Sequence, residues 1–155
     1  MLHRDPYEFL KSISKDKRIM CLDMGEKRIG IAFSDKTQLI ATAHSVYHRK
    51  NISKDLGYLN RIFKKNEAES IVIGLPLEID GQKSKWCETI IKFANKIIKK
   101  YKISIYLQDE SLSTSIVAHV LKITGVSITK SKKIDDKISA CIILQRTLDK
   151  INVIK

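Results

Sequence analysis

Ile19-Met20-Cys21-Leu22-Asp23 followed by Met24-Gly25-Glu26-Lys27 and Arg28-Ile29-Gly30-Ile31-Ala32-Phe33-Ser34 is the stretch on which the fold turns. An uninterrupted apolar run that ends in an acid reads as a strand buried on both faces. The next four residues turn the chain. Arg28 to Ser34 then alternate, with Ile29, Ile31 and Phe33 on one side and Gly30, Ala32 and Ser34 on the other, as in a second strand paired antiparallel to the first. A third strand is predicted over Ile40 to Tyr47.

Beyond residue 50 the apolar period changes. Leu56, Leu59, Ile62 and Phe63 share a helical stripe within 51–66, with Ser53 as candidate N-cap. Ser70 to Leu75 reads as a buried strand stopped by Pro76. Trp86, Ile90, Phe93, Ala94 and Ile97 form the apolar face of a helix from Ser84 to Lys100. Ile103, Ile105 and Leu107 alternate in a fifth strand that runs into Asp109-Glu110. A helix is predicted over Ser113 to Lys122, a polar, basic loop over Thr124 to Lys133, and a last helix over Asp135 to Asp149. Ahead of the first strand, Tyr7, Leu10 and Ile13 stand at helical spacing behind Asp5-Pro6, so residues 1–17 read as an appendage with a short helix. Residues 18–150 form one domain, and 151–155 a tail.

Strands alternating with helices imply a mixed α/β sheet covered on both faces. In such sheets the ligand site lies off one end of the central strands. Asp23 and the Asp109-Glu110 pair both end strands, so their carboxylates converge if those strands are parallel neighbours.

The 155 residues are 43% hydrophobic and 30% charged, an ordinary globular mixture. The longest uncharged apolar run, Ser70 to Leu77, is too short to span a bilayer, so no membrane partner is expected. The first residues lack the apolar stretch of a signal peptide, which predicts a cytoplasmic protein. Cys21, Cys87 and Cys141 lie far apart at no metal or redox spacing and read as reduced core filler. The net charge of +12 attracts polyanions through counterion release. The excess is mostly lysine, however, and Lys64, Lys65, Lys99 and Lys100 sit where they would simply offset helix dipoles.

Chemistry on a phosphodiester needs hard oxygen ligands for divalent metal, gathered from several elements. Asp23, Glu110 and Asp136 are suitable. Crowded together without metal they would raise one another's pKa. Each has a plainer reading: Asp23 accepting from the turn amides of Gly25 and Glu26, Glu110 solvated or capping a helix, Asp135 and Asp136 opening one. Lys27 and Arg28 beside Asp23 suit phosphate neutralisation, or are a solvent-facing turn pair. Lys130, Lys132, Lys133 and Lys137 can close over a nucleic-acid strand, or do nothing specific. Gly74 to Ser84 superficially resembles a phosphate-binding loop, but six residues separate Gly74 from Gly81 and the amide cradle cannot form. His3, His44, His48 and His119 show no ligand spacing. Trp86 reads as core rather than a base-stacking platform.

Asp23-Met-Gly25-Glu-Lys27-Arg28-Ile-Gly30-Ile-Ala-Phe-Ser34-Asp35 resembles the first motif of the YqgF/RuvX family. Ile73-Gly74-Leu75-Pro76-Leu77-Glu-Ile-Asp80-Gly81 resembles its second, Asp109-Glu110-Ser111-Leu112-Ser113-Thr114 its third, and Asp136-Lys-Ile-Ser139-Ala140-Cys-Ile-Ile-Leu-Gln145 its fourth. The likeness covers residues 18–149 in order and spacing. It implies a ribonuclease-H-like fold, a five-stranded mixed sheet in the order 3-2-1-4-5, and Mg²⁺- or Mn²⁺-dependent nuclease chemistry on Asp23, Glu110 and Asp136. It implies structured RNA as substrate, specifically the ends of precursor 16S rRNA, with a pre-ribosomal particle as partner. A Holliday junction resolvase and a non-catalytic RNA-binding factor are the alternatives. Ser111, where the family commonly has arginine, and Glu26, where it commonly has threonine, depart from the pattern.

Overall fold

The computed structural model describes residues 1–76, 84–110 and 128–155, with 128–135 as helical backbone only. Its strands are β1 (Leu2–His3), β2 (Arg18–Met24), β3 (Arg28–Ser34), β4 (Ala41–His48), β5 (Ala68–Leu75) and β6 (Ser104–Asp109). Its helices are α1 (Pro6–Ser12), α2 (Ile52–Lys65), α3 (Lys85–Tyr101) and α4 (Ile128–Val153). The sheet order is β1-β6-β5-β2-β3-β4. Apart from β1 this is the mixed five-stranded order expected. β2 runs antiparallel to β3 and parallel to β5, and β5 is parallel to β6, which brings the C-terminal ends of β2, β5 and β6 to one edge of the sheet.

Strand alternation divides the core. On β2, Met20, Leu22 and Met24 face α2 and α3, while Ile19 and Cys21 face α1 and α4. Side chains at odd positions of β2, Asp23 included, therefore belong to the α4 side. Each long helix on the other side closes with polar caps. Asn51, not Ser53, is the N-cap of α2 and accepts from the Lys54 amide, so Ser53 lies inside the first turn. Ser84 caps α3 by accepting from the Cys87 amide.

Three expectations need correction. Residues 1–17 contribute a sixth strand: β1 pairs parallel with β6, and the amide of Ile105 donates to the carbonyl of Met1. Two residues carry too little pattern to be read as a strand. In α1 the buried anchor is Phe9, fully enclosed and stacked on Tyr106 with ring centroids 5.3 Å apart, whereas Tyr7 is exposed. The third correction concerns the last helix, which begins at Ile128 and ends at Val153. Residues 128–133 are therefore helix and not loop, because lysine and isoleucine are good enough helix formers to extend a helix without an apolar stripe. Asp135 and Asp136 lie well inside it, which removes the N-cap reading. At the other end Ile151 is fully buried, so the tail begins later than residue 151.

The predicted helix over Ser113 to Lys122, the loop residues Thr124 to Ser127, the motif residues 77–81 and 111–114, and the side chains of Lys130, Lys132 and Lys133 lie outside the described residues. Among the described residues no helix is long and apolar enough to cross a membrane.

Candidate active site

The acidic site is built where two glycines leave room for it. Asp23 pairs with Gly30 across the β2–β3 ladder. A Cβ on Gly30 would stand 1.9 Å from the main-chain oxygen of Asp136, so only glycine lets α4 lie this close to the sheet. On β5, a Cβ on Gly74 would come within 2.6 Å of the Ile143 side chain and 3.4 Å of Glu110 Cγ. Glu110 is fixed immediately after β6 by its amide, which donates to the Leu75 carbonyl at 3.0 Å, and it is buried.

These contacts gather Asp23, Glu110 and Asp136 around one end of the sheet. Asp23 registers the crowding. Burial, then the charge of Asp136, then that of Glu110 push its carboxyl up to about 7. The Cys21 thiol, on the same face one pleat back, is raised by burial, then by Asp23 and Glu110. Two arginines answer the charge. Arg28 Nε lies 2.9 Å from Asp136 Oδ2, and Arg146 donates to Glu110 Oε2 at 3.3 Å. Arg146 escaped sequence reading; its only signal is a place on α4 one turn after Ile143.

Hard carboxylate oxygens with a proton held abnormally tightly are the donor chemistry that a divalent cation satisfies. Among the described residues, however, no three His, Cys, Asp or Glu side chains stand in joint reach of one ion. In this arrangement the guanidinium of Arg28 holds Asp136.

Lys27 does not join the acids. It is exposed and lines a separate basin of about 470 Å³ with Glu26, His48, Arg49 and Lys50. Behind that basin is a second feature absent from the sequence reading. Asp55, 1% exposed, accepts from Tyr47 Oη at 2.9 Å, the Lys50 amide at 3.0 Å and Arg49 Nε at 3.1 Å. Arg49 continues to the Gly25 carbonyl at 3.1 Å and lies over the Phe93 ring. The β2–β3 turn is thereby tied to α2 and α3. An acid in the first turn of α2 gave no hint that it was buried.

A family model described as RuvX, Holliday junction resolvase, matches residues 17–150. The chain belongs to the RuvX family. The RuvX sequence of Wolbachia sp. subsp. Brugia malayi, which carries the name "Putative pre-16S rRNA nuclease", is 90% identical over the full length of both chains. That of Ehrlichia ruminantium (strain Welgevonden), with the same name, is 52% identical over 99% of this chain and 98% of its own. Among solved structures, Thermus thermophilus RuvC in complex with a Holliday junction substrate superposes with a TM-score of 0.55 over 88% of this chain and 96% of that one. At 8% identity this likeness establishes a shared ribonuclease-H-like fold and nothing finer.

Proposed function

We propose that this chain is a divalent-metal-dependent nuclease that hydrolyses phosphodiester bonds in structured RNA at the ends of precursor 16S rRNA. The observation that carries the reading is the carboxyl of Asp23, held at about 7 by burial and by two acids from remote parts of the chain. Asp23, Glu110 and Asp136 would hold Mg²⁺ or Mn²⁺, which when bound activates water and neutralises charge at the phosphate. Asp23 must first surrender its proton. Arg28, now on Asp136, is placed to exchange that carboxylate for a substrate phosphate, which a guanidinium grips with two donors. Arg146 keeps Glu110 oriented. Lys27, with Lys132 and Lys133 on the first turns of α4, extends the contact along the backbone of the nucleic acid, and the net charge of +12 makes that contact salt-sensitive. The substrate follows the names of the relatives and makes a pre-ribosomal particle the partner. A reducing cytoplasm suits the three free thiols.

The family description favours a second substrate, a DNA four-way junction cut by a symmetric dimer. Mg²⁺ and Mn²⁺ titrations with structured RNA and with a DNA junction, side by side, separate the two. Asp23→Asn should lower cleavage at least a hundredfold while leaving salt-sensitive binding intact. Cleavage at the wild-type rate in that variant removes the assignment and leaves a nucleic-acid-binding factor.

A further inference from the structure

The two faces of the sheet end differ, and the face away from the acids carries an unassigned cleft. The basin lined by Lys27, His48 and Lys50 shares Arg49 and Ile52 with a notch of about 180 Å³. The floor of that notch is Met24, Ile90 and Phe93, all buried, and the half-buried Trp86 forms a wall. Lys92 and Lys96 stand at its rim. The result is an apolar, aromatic slot opening beside a cationic trough.

We infer that this cleft seats an unpaired nucleotide of the substrate, its base in the Trp86 notch and its phosphate in the Lys27–Lys50 trough. The inference rests on the nuclease reading and adds a recognition subsite to it. An isolated phosphate has no use for the notch, and an apolar peptide has none for the four cations Lys27, Lys50, Lys92 and Lys96. A nucleotide needs both, because a base buries its ring faces against aromatic or aliphatic side chains while its backbone tracks positive charge. Asp55 is turned inward, where it accepts from Tyr47 and offsets Arg49, leaving Glu26 against Lys27 and Lys50 in the trough.

Strand geometry links the cleft to the chemistry. Met24 follows Asp23 in β2, and Lys27, the last residue of the turn, precedes Arg28, the first of β3. Alternation along β2 sends Asp23 to the acidic site and Met24 to the cleft on the opposite face, while Lys27 lines the trough and Arg28 reaches Asp136. A strand passing over the sheet end meets both, so an unpaired base flanking the cut is captured as the phosphate reaches Asp23. The subsite therefore selects a frayed or looped segment over a continuous duplex.

Trp86 is the sole tryptophan of the chain, so its emission reports the notch directly. In EDTA, single-stranded RNA and DNA hexanucleotides should quench it saturably, and an abasic hexanucleotide with the same backbone should not. Ile52→Glu, at a partly exposed position where an acid suits the first turn of α2, should weaken the quenching affinity about tenfold. Equal quenching by the abasic strand, no quenching at all, or an unaltered affinity in Ile52→Glu overturns the inference. Asp23→Asn keeps the two readings apart. If it loses Mg²⁺-dependent cleavage while wild-type emission ignores every hexanucleotide, the subsite fails and the nuclease stands; if it cleaves normally while quenching persists, the reverse holds.

Discussion

Asp55 and Asp23 are both carboxylates drawn in from water at the same end of one sheet, on opposite faces. Asp55 is surrounded by donors: a phenol, a main-chain amide and a guanidinium. Asp23 is surrounded by other acids, and its proton is held up to about 7. The first arrangement satisfies a buried charge with hydrogen bonds. The second crowds like charges together, with Arg28 on Asp136 and Arg146 on Glu110.

The contrast can be broken most severely at Asp55. Asp55→Ala strands the Arg49 guanidinium and frees the β2–β3 turn from α2. It should cost about 3–5 kcal/mol in chemical denaturation. A loss under 1 kcal/mol would mean that the network holds nothing together.

Gly30→Ala attacks the other side. Its methyl group collides with the Asp136 carbonyl, so α4 must retreat, at a cost of about 2–3 kcal/mol. Cleavage should fall with it, as Asp136 is carried away from Asp23. Retention of full stability and activity would show that the approach of α4 is not tight.

Asp23→Asn sharpens the comparison with the smallest and opposite effect. An unfolded aspartate releases its proton near pH ~4, whereas the folded one does so at about 7. Below the lower value Asp23 costs nothing; its cost grows as pH rises between the two and is complete above 7. The metal-free variant should therefore gain about 2 kcal/mol at pH 8 and nothing near pH 4, a magnitude reduced for residual contact with water. Thermal unfolding in EDTA at the two pH values checks it. A destabilised variant at pH 8 would show that Asp23 is not electrostatically crowded.

What sequence could and could not reveal follows the same division. The order of the five main strands in the sheet followed from the family resemblance, whereas their positions were readable because two-residue alternation and apolar runs are local signals. So was the candidacy of Asp23 and Glu110, acids that end apolar strands. Asp136 stood out only through the family motif, since locally it looked like the opening of a helix; α4 in fact starts at Ile128. Asp55, Arg49 and Arg146 were invisible because their roles depend on partners brought in by the fold: Tyr47 and Gly25 for the first two, Glu110 for the last. Trp86 was half read. Its helical face does pack on the core, but its position at the rim of a notch depends on where Met24 and Ile52 arrive.

The placement of Asp136 on the final helix also sets a clock. A chain emerging from the ribosome makes β2, β3 and β5 long before α4, so a nascent molecule possesses Asp23 and even Glu110 with no third acid beside them. On the proposed nuclease reading, cleavage must await the docking of residues 136–151 across the sheet.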